Sequence, residues 1–248
     1  MRLTLLIVLL DVLSMVAGYG GKMYNRWRTP MAKYGFKWTA VPAKTQDGYN
    51  LLIFRITGNK NGEYKKNRTP VLMVPGLFDD AARWLEMQSY GDEAGEELPL
   101  MLQIAEAGYD VWIGNIRGTE YASDHKLFSS YSPEYWNFNW DKDHARMDVP
   151  TMVRRVKEMT GMRKIFYIGY SQGAGSMITA LTDKNLHYDV ENSLHKFIAL
   201  SPCVRFRTDG LDEAYFEQGL YQFMKNDIHS LFGPTWNDDL TKICKTFS

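Results

Sequence analysis

The residues best suited to covalent chemistry in this sequence form one short run, Gly169-Tyr170-Ser171-Gln172-Gly173. It has the pattern G-x-S-x-G, with an apolar strand-like run before it and a helical pattern after it. A serine at a tight strand-to-helix turn is held in a strained backbone conformation, and flanking glycines let the strand and helix approach closely. We therefore predict that Ser171 is a nucleophile, that Gly169 and Gly173 shape its turn, and that the Gln172 N–H binds an oxyanion. The alternative is an ordinary serine in a glycine-bounded turn.

A second oxyanion donor is expected in the loop that follows an earlier strand of the sheet. The run Val74-Pro75-Gly76-Leu77 ends a short apolar stretch and has the required position. Because Gly76 has no side chain, the backbone can approach the reacting carbon, and the N–H of Leu77 is the predicted donor. The alternative is a plain turn that ends the strand.

A serine nucleophile also needs a base and an acid, and the residues alone identify neither. Of the histidines after Ser171, His187 and His195 flank a polar connection and are expected in solvent. His229 lies in an aromatic-rich helical stretch and is a weak candidate for the base. His144 stands among charged residues and is expected to be a surface histidine near a helix start, so no metal site or cofactor is predicted. The aspartates that follow the serine, among which nothing selects, are Asp183, Asp189, Asp209 and Asp227.

Strands and helices alternate around these residues. Apolar runs predict strands at 37–44, 49–57, 70–74, 109–113, 164–168 and 196–200, and helical spacing predicts helices at 98–107, 141–160, 173–182 and 211–231. The turn Gln46-Asp47-Gly48 joins the first two strands into a hairpin, and Pro150 is expected to start or kink its helix. This alternation predicts the α/β fold class, with a mostly parallel sheet covered by helices on both faces.

Composition limits the class of protein and of partner. The 248 residues carry 29 Lys+Arg and 29 Asp+Glu, so nucleic acid is not an expected partner. With 45% hydrophobic and 23% charged residues, the chain has an ordinary globular composition, and one large domain is expected. Cys203 and Cys244 provide no disulfide framework, and the sequence leaves their pairing open. The sequence contains no run of about 20 apolar residues, so a conventional transmembrane helix is not expected.

The amino terminus has the features of an export signal. Arg2 precedes an apolar stretch that Asp11 interrupts, and Val16-Ala17-Gly18 supplies small residues for cleavage. Residues 1–18 are therefore a predicted signal peptide, the alternative being a buried helix with Asp11 facing solvent. Asn67-Arg68-Thr69 is a glycosylation sequon, so Asn67 is a predicted glycan site. Together these features predict a secreted protein, or one in the lysosomal or endomembrane lumen.

Several longer runs carry a family likeness. They are Tyr34-Gly35-Phe36, Thr45-Gln46-Asp47-Gly48-Tyr49, Pro75-Gly76-Leu77 with Trp84, the run 107–115 with Arg117-Gly118, Tyr135-Trp136-Asn137-Phe138 with Trp140-Asp141, Asp148-Val149-Pro150, and the serine turn. On these runs the chain resembles the acid lipases of the α/β-hydrolase superfamily, the group that includes gastric and lysosomal lipases. The resemblance implies an α/β-hydrolase fold and cofactor-free hydrolysis of lipid esters, of the triacylglycerol or cholesteryl ester class, at a transient membrane or lipid-droplet interface. That family usually has histidine where Pro75 and Tyr170 stand here, which implies a differently shaped oxyanion hole and serine turn.

The resemblance also implies parts that this sequence does not supply. The family continues through a cap and then two more strands that carry the acid and the base, whereas one clear strand follows Ser171 here. We therefore expect residues 19–203 to form the amino-terminal part of the core, residues 204–248 to begin a helical cap, and the last strands to be missing. Three alternatives stay open. The chain is an incomplete lipase or carboxylesterase with little activity, a non-catalytic relative that binds lipid or a protein partner, or a hydrolase completed by an unusual base or a second chain.

Overall fold

A β-hairpin opens the sheet of this protein, whose computed structural model describes residues 25–77, 79–87, 98–138 and 143–203. Helix α1 (Asn25–Tyr34) precedes strands β1 (Lys37–Lys44) and β2 (Tyr49–Asn59), which pair antiparallel. The turn between them is closed by Thr45, whose N–H donates to the Tyr49 carbonyl at 2.9 Å. Gly48 adopts a φ of 108° there, a value that residues with a side chain rarely reach. The predicted hairpin is therefore present.

The sheet has eight strands in the order β1-β2-β5-β4-β7-β8, with two short strands, β3 and β6, paired to β2. The remaining strands are β3 (Gly62–Glu63), β4 (Pro70–Val74), β5 (Asp110–Asn115), β6 (Asp124–His125), β7 (Ile165–Tyr170) and β8 (Leu194–Leu200). Strands β5, β4, β7 and β8 are parallel, whereas β2 runs antiparallel to each of its neighbours. The four parallel strands end at one edge of the sheet, which we call the carboxyl edge.

Helices fill the connections between the parallel strands. They are α2 (Arg83–Glu86), α3 (Leu100–Glu106), α4 (Val149–Thr160), α5 (Gln172–Thr182) and α6 (His187–Asn192), with 3₁₀ turns at Glu120–Ala122 and Pro133–Trp136. A π-helical turn, His144–Asp148, leads directly into α4. Helix α4 ends at Gly161, which has a φ of 70° and donates its N–H to the Lys157 carbonyl at 2.8 Å, a left-handed C-cap.

Two apolar clusters cover the two faces of the sheet. In β5, Trp112 packs into one cluster, whereas its neighbours Val111 and Ile113 pack into the other. The same alternation occurs in β4, where Leu72 and Met73 lie on opposite faces. Because neighbouring side chains of a strand point to opposite faces, strands that are apolar throughout must be covered on both sides. The predicted α/β fold class is confirmed, with a mixed sheet in which the four central and carboxyl-terminal strands are parallel.

The predicted strands agree with the structure to within a few residues, and the differences lie mainly in helices. Helix α1 was not predicted, since Pro30 interrupts its pattern. In place of one regular helix over 141–160, the π-helical turn His144–Asp148 continues into α4, which begins at Val149 with Pro150 in its first turn. The signal peptide, the cap segment and the helices at 211–231 lie outside the described residues. Within the described ranges, no helix is long and apolar enough to cross a membrane.

Candidate active site

Ser171 occupies a strained turn between β7 and α5. Its φ of 49° and ψ of −112° lie outside the ordinary regions for a residue with a side chain, a conformation that costs about 1–3 kcal/mol. The Ser171 N–H donates to the Leu200 carbonyl at 2.9 Å, and the Ser171 carbonyl accepts N–H groups from Ala174, Gly175 and Cys203 at 3.0–3.1 Å. Hydrogen bonds on both polar groups therefore hold the residue in its strained conformation.

The two glycines of the motif are required by close packing. A methyl group on Gly169 would lie 2.6 Å from the Cα of Ala174 in the following helix. A methyl group on Gly173 would lie 2.4 Å from the Val74 carbonyl oxygen and 2.5 Å from that of Pro75. All three distances are shorter than a side-chain Cβ atom can adopt without displacing its neighbours. The glycines thus let α5 start directly against β7 and against the end of β4, as the motif predicts.

The loop after β4 lies beside the serine. A methyl group on Gly76 would lie 3.1 Å from Ser171 Cβ, and the Asp79 N–H donates to the Gly76 carbonyl at 3.3 Å, closing a turn that contains Leu77. Gln172 is the first residue of α5. The backbone N–H groups in the first turn of a helix have no acceptor within the helix, and the helix dipole there stabilises a bound anion. The structure therefore brings Ser171, Gln172 and the Leu77 loop together. The donor roles of Leu77 and Gln172 stay predictions.

A carboxyl group that the sequence did not single out lies at the same place. Asp79 Oδ2 is 3.2 Å from the methyl position on Gly76 that also neighbours Ser171. Burial raises the pKa of Asp79 to about 6, and the guanidinium of Arg83, 3.7 Å away, limits that rise. An ionised Asp79 would oppose an oxyanion at this site, whereas a protonated one would not.

His144 supports Gln172 from inside the protein. Its Nδ1 lies 3.0 Å from Gln172 Nε2, and both side chains are buried. Burial, with Arg117 nearby, lowers the pKa of His144 to about 3, so the ring is neutral. The expectation of a surface histidine was wrong, because the π-helical turn carries His144 into the interior against Gln172 and Phe138. His144 Nε2 and Gln172 Oε1 make no hydrogen bond with any residue in the described ranges.

A buried ion network holds the π-helical turn against the end of β5. Arg117 donates to Asp148 through its backbone N–H at 3.0 Å, Nε at 2.9 Å and Nη2 at 2.7 Å. Its Nη1 also lies 2.6 Å from Asp47, and its guanidinium stacks 4.0 Å above the Tyr49 ring. Burial raises the pKa of Asp148, and Arg117 limits that rise. The network fixes the hairpin, the end of β5 and the turn that carries His144.

No histidine among the described residues reaches the Ser171 hydroxyl, which makes no hydrogen bond to any of those residues. His187 and His195 are exposed, as expected, and lie in α6 and at the start of β8, away from the carboxyl edge. His125 is buried, with Nε2 3.0 Å from the Asp47 carbonyl. His229 lies outside the described residues. Those residues also hold no group of three or more acidic, histidine or cysteine side chains suited to a metal ion.

Comparison with protein families decides the identity of this arrangement. The model of the alpha/beta hydrolase fold matches residues 69–245, most of the chain. The chain belongs to the α/β-hydrolase fold family. Residues 29–88 also match the model described as the partial alpha/beta-hydrolase lipase region. The resemblance to acid lipases is thereby confirmed at the level of family.

Named relatives of this α/β hydrolase are lipases. A probable lipase of Schizosaccharomyces pombe is 32% identical over 200 residues, which cover 81% of this chain and 42% of that protein. Gastric triacylglycerol lipase of Bos taurus is 37% identical over 133 residues, 52% of this chain and 31% of that one. The chain thus spans less than half the length of these relatives. An esterase structure from Pyrococcus furiosus aligns with a TM-score of 0.47 and 18% identity, over 80% of this chain and 65% of that one.

The serine turn of this α/β hydrolase is evident from its sequence, whereas the buried residues that hold the turn in place are not. Arg117 and Asp148 both stand in runs that resemble the family, and their burial follows the rule that charged residues are rarely buried unless they are paired. For Asp79, the signal was a pair of acidic residues directly after the Gly76 loop. The contact between His144 and Gln172 joins residues far apart in the chain, and no local pattern predicts it.

Proposed function

We propose that this protein is a serine ester hydrolase of lipid esters, of the triacylglycerol or cholesteryl ester class, with Ser171 as the nucleophile. The observation that carries the proposal is the strained Ser171 turn, with the glycine-containing loop after β4 directly beside the Ser171 side chain. The name of the bovine gastric triacylglycerol lipase supports the choice of substrate class. Because such esters form droplets and bilayers in water, the protein would meet its substrate at a lipid surface.

The chemistry is acyl transfer through the serine oxygen. Ser171 Oγ attacks the ester carbonyl carbon and gives its proton to a base, and the carbonyl oxygen becomes an oxyanion between the N–H groups of Leu77 and Gln172. The C–O bond to the alcohol then breaks, and the base returns the proton to the departing alcohol. Water repeats the sequence on the acyl-serine, releasing the fatty acid and the free Ser171 hydroxyl.

The base for this chemistry comes from outside the described residues. His144 is neutral and buried against Gln172, and His125 is held by the Asp47 carbonyl. Of the five histidines in the sequence, His229 alone lies outside the described ranges, so a histidine base within this chain would be His229. The other source is a part of the protein or a partner that this chain does not include.

Active-site labelling tests the proposal. We expect a fluorophosphonate to label the full chain at Ser171, and Ser171→Ala to remove both the label and hydrolysis of a short activated ester. Ser201→Ala is the matched control, because Ser201 also has a positive φ, of 44°, at the end of the neighbouring strand. Equal labelling of Ser171→Ala and the unchanged chain would overturn the proposal. A chain that binds lipid but is never labelled would be either the non-catalytic relative or an incomplete chain that lacks its base.

A second variant locates the base. If His229 takes the Ser171 proton, His229→Ala should lower the labelling rate by a factor on the order of 10⁴. An unchanged rate would place the base outside the histidines of this chain. His195→Ala is the control, since His195 is exposed on β8 and should leave the rate unaltered.

We also propose that the protein is exported and carries a glycan on Asn67. The side chain of Asn67 is exposed and its φ is 66°, so the sequon lies in an accessible turn that an oligosaccharide can occupy. Expression in a secreting cell line should yield a protein that begins near Tyr19 and loses mass on glycosidase treatment, and Asn67→Gln should abolish that loss. Retention of Met1 in the mature protein would refute export.

A further inference from the structure

A short loop at the carboxyl edge exposes three large apolar side chains. Residues 126–131, which we call the tip loop, follow β6 and include Leu127, Phe128 and Tyr131, with 73%, 39% and 69% of their surface exposed. Single exposed apolar residues are common on proteins, whereas three within five residues form a local apolar surface. We propose that the tip loop inserts into a lipid–water interface and docks the protein on it.

The tip loop is fixed from beneath by one buried histidine. Nδ1 of His125 accepts the N–H groups of Leu127 and Phe128, each at 3.1 Å, and Nε2 donates to the Asp47 carbonyl at 3.0 Å. The His125 ring also stacks on the Phe128 ring, with centroids 4.7 Å apart and planes 7° from parallel. Because the loop is already ordered, its insertion costs little conformational entropy.

The tip loop lies at the same edge of the sheet as the serine turn. Strand β6 pairs with the first residues of β2, which lie at the carboxyl edge because β2 is antiparallel to β5. Three strand spacings, about 15 Å, separate β2 from β7 in the sheet. A protein docked through the tip loop would thus present the edge that carries Ser171 to the same surface.

Packed side chains also connect the tip loop to that turn. Trp136 Nε1 donates to the Ser130 carbonyl at 2.8 Å, and the Trp136 and Phe138 rings lie 6.0 Å apart. Phe138 in turn packs on His144, with ring centroids 5.5 Å apart, and His144 contacts Gln172. The loop and the serine turn therefore belong to one packed unit, so docking of the loop fixes the orientation of the site.

The charge of the tip loop suits a phospholipid surface. Lys126 is exposed and forms no ion pair within the described part of the chain. The preceding acidic residue, Asp124, is held by Asn50 Nδ2 at 2.6 Å. A lysine beside apolar side chains is typical of surfaces that insert at the membrane interface, where the ammonium meets phosphate groups.

The size of the apolar surface favours lipid over a protein partner. Full burial of an aromatic side chain removes 150–250 Å² from water, so the three partly exposed side chains offer roughly 300–400 Å². A stable protein interface buries about 800 Å² on each partner. A lipid surface needs only a few inserted side chains. The choice of lipid rests on the proposed lipid-ester function, whereas the location of the surface does not.

Vesicle binding tests the inference without any need for hydrolysis. The full chain is sedimented with vesicles of ether-linked phosphatidylcholine containing a minor fraction of ether-linked phosphatidylserine, which have no carboxylic ester bond for the protein to hydrolyse. We expect the double variant Leu127→Ser, Tyr131→Ser to bind at least about tenfold more weakly than the unchanged chain. Tyr188→Ser is the matched control, since Tyr188 is 71% exposed but lies in α6, away from the carboxyl edge, and should bind normally.

A conservative variant separates lost insertion from lost folding. Leu127→Phe with Tyr131→Trp keeps the apolar surface and should bind at least as tightly as the unchanged chain, with both double variants showing the same thermal unfolding midpoint. Unaltered vesicle binding by the serine variant, or no binding by the unchanged chain, would overturn the inference. Ser171→Ala should bind normally, so that loss of hydrolysis and loss of docking are observed separately.

Discussion

Replacement of Arg117 by methionine is expected to destabilise the protein severely near neutral pH. The change keeps the apolar length of the side chain but removes the guanidinium, which donates to both Asp148 and Asp47. The Asp148 side chain has 0% of its surface exposed and would retain only the backbone N–H of residue 117 as a donor. Removing one partner of such a buried pair costs about 3–5 kcal/mol, a large part of the 5–15 kcal/mol that stabilises a typical domain.

The loss should depend on pH in a defined direction. Burial already raises the pKa of Asp148, and removal of Arg117 raises it further. The folded variant therefore holds a proton on Asp148 more tightly than the unfolded chain, whose aspartates titrate near pH 3.9. The stability that this proton supplies is fully present below that value and is lost as pH rises through the folded pKa. The variant should accordingly recover stability relative to the unchanged protein as the solution is acidified.

Urea denaturation near pH 7.5 and near pH 5 measures both effects. The matched control is Arg55→Met, because Arg55 also binds a carboxylate through two nitrogens and stacks on an aromatic ring, but is 29% exposed. Because its partner Asp110 is itself buried, we expect the control to lose about 1–3 kcal/mol at neutral pH, less than Arg117→Met. The reasoning fails if Arg117→Met costs less than about 1 kcal/mol at neutral pH, or if its loss is the same at both values.

Three further predictions concern the residues around the serine. Burial raises the pKa of Asp79 to about 6, so the stability of the wild-type protein falls as pH rises from about 4 to 6. In urea titrations, Asp79→Asn should therefore be as stable as the wild type near pH 4. Above pH 6 it should be more stable than the wild type by about 1–2 kcal/mol, a value that allows for solvent screening. Burial lowers the pKa of His144 to about 3, so the stability that the neutral ring contributes is fully present above about pH 6.5 and falls on acidification. Between pH 6.5 and 4.5, the free energy of unfolding of His144→Gln should therefore rise by about 2–3 kcal/mol relative to that of the wild type. Parallel pH profiles of the two proteins would contradict this. Gly173→Ala places a methyl group 2.4 Å from the Val74 carbonyl oxygen and should cost about 2–3 kcal/mol by thermal unfolding, whereas Gly161→Ala, whose methyl group meets nothing within 4 Å, should cost about 1 kcal/mol from its φ alone.

Local patterns predicted the parts of the fold and site that depend on neighbouring residues. The serine turn needs glycines at fixed offsets between a strand and a helix, and these residues lie within ten positions of one another. Both faces of β4, β5 and β7 are covered by the protein, so these strands consist mainly of apolar residues. Their apolar runs could therefore be recognised in the sequence.

Features that join distant parts of the chain could not be predicted in this way. Arg117 meets Asp47 across 70 positions, and only the antiparallel pairing of β2 with β5 brings them together. The charged neighbours of His144 and an expected helix start placed it on the surface, whereas the π-helical turn carries it into the interior against Gln172. Helix α1 escaped detection because its internal Pro30 is a signal that normally ends a helix.

The backbone hydrogen bonds of Ser171 couple its local unfolding to that of the end of β8. Its N–H donates to the Leu200 carbonyl and its own carbonyl accepts the Cys203 N–H, so both polar groups bind the chain at the end of β8. Amide hydrogen exchange at Ser171 therefore requires the end of β8 to separate first, and the amides of Ser171 and Cys203 should exchange as one cooperative unit. Any force or ligand that moves the residues after Cys203 would alter the protection of the nucleophile's own amide, which makes that single proton a reporter of events in the adjoining segment.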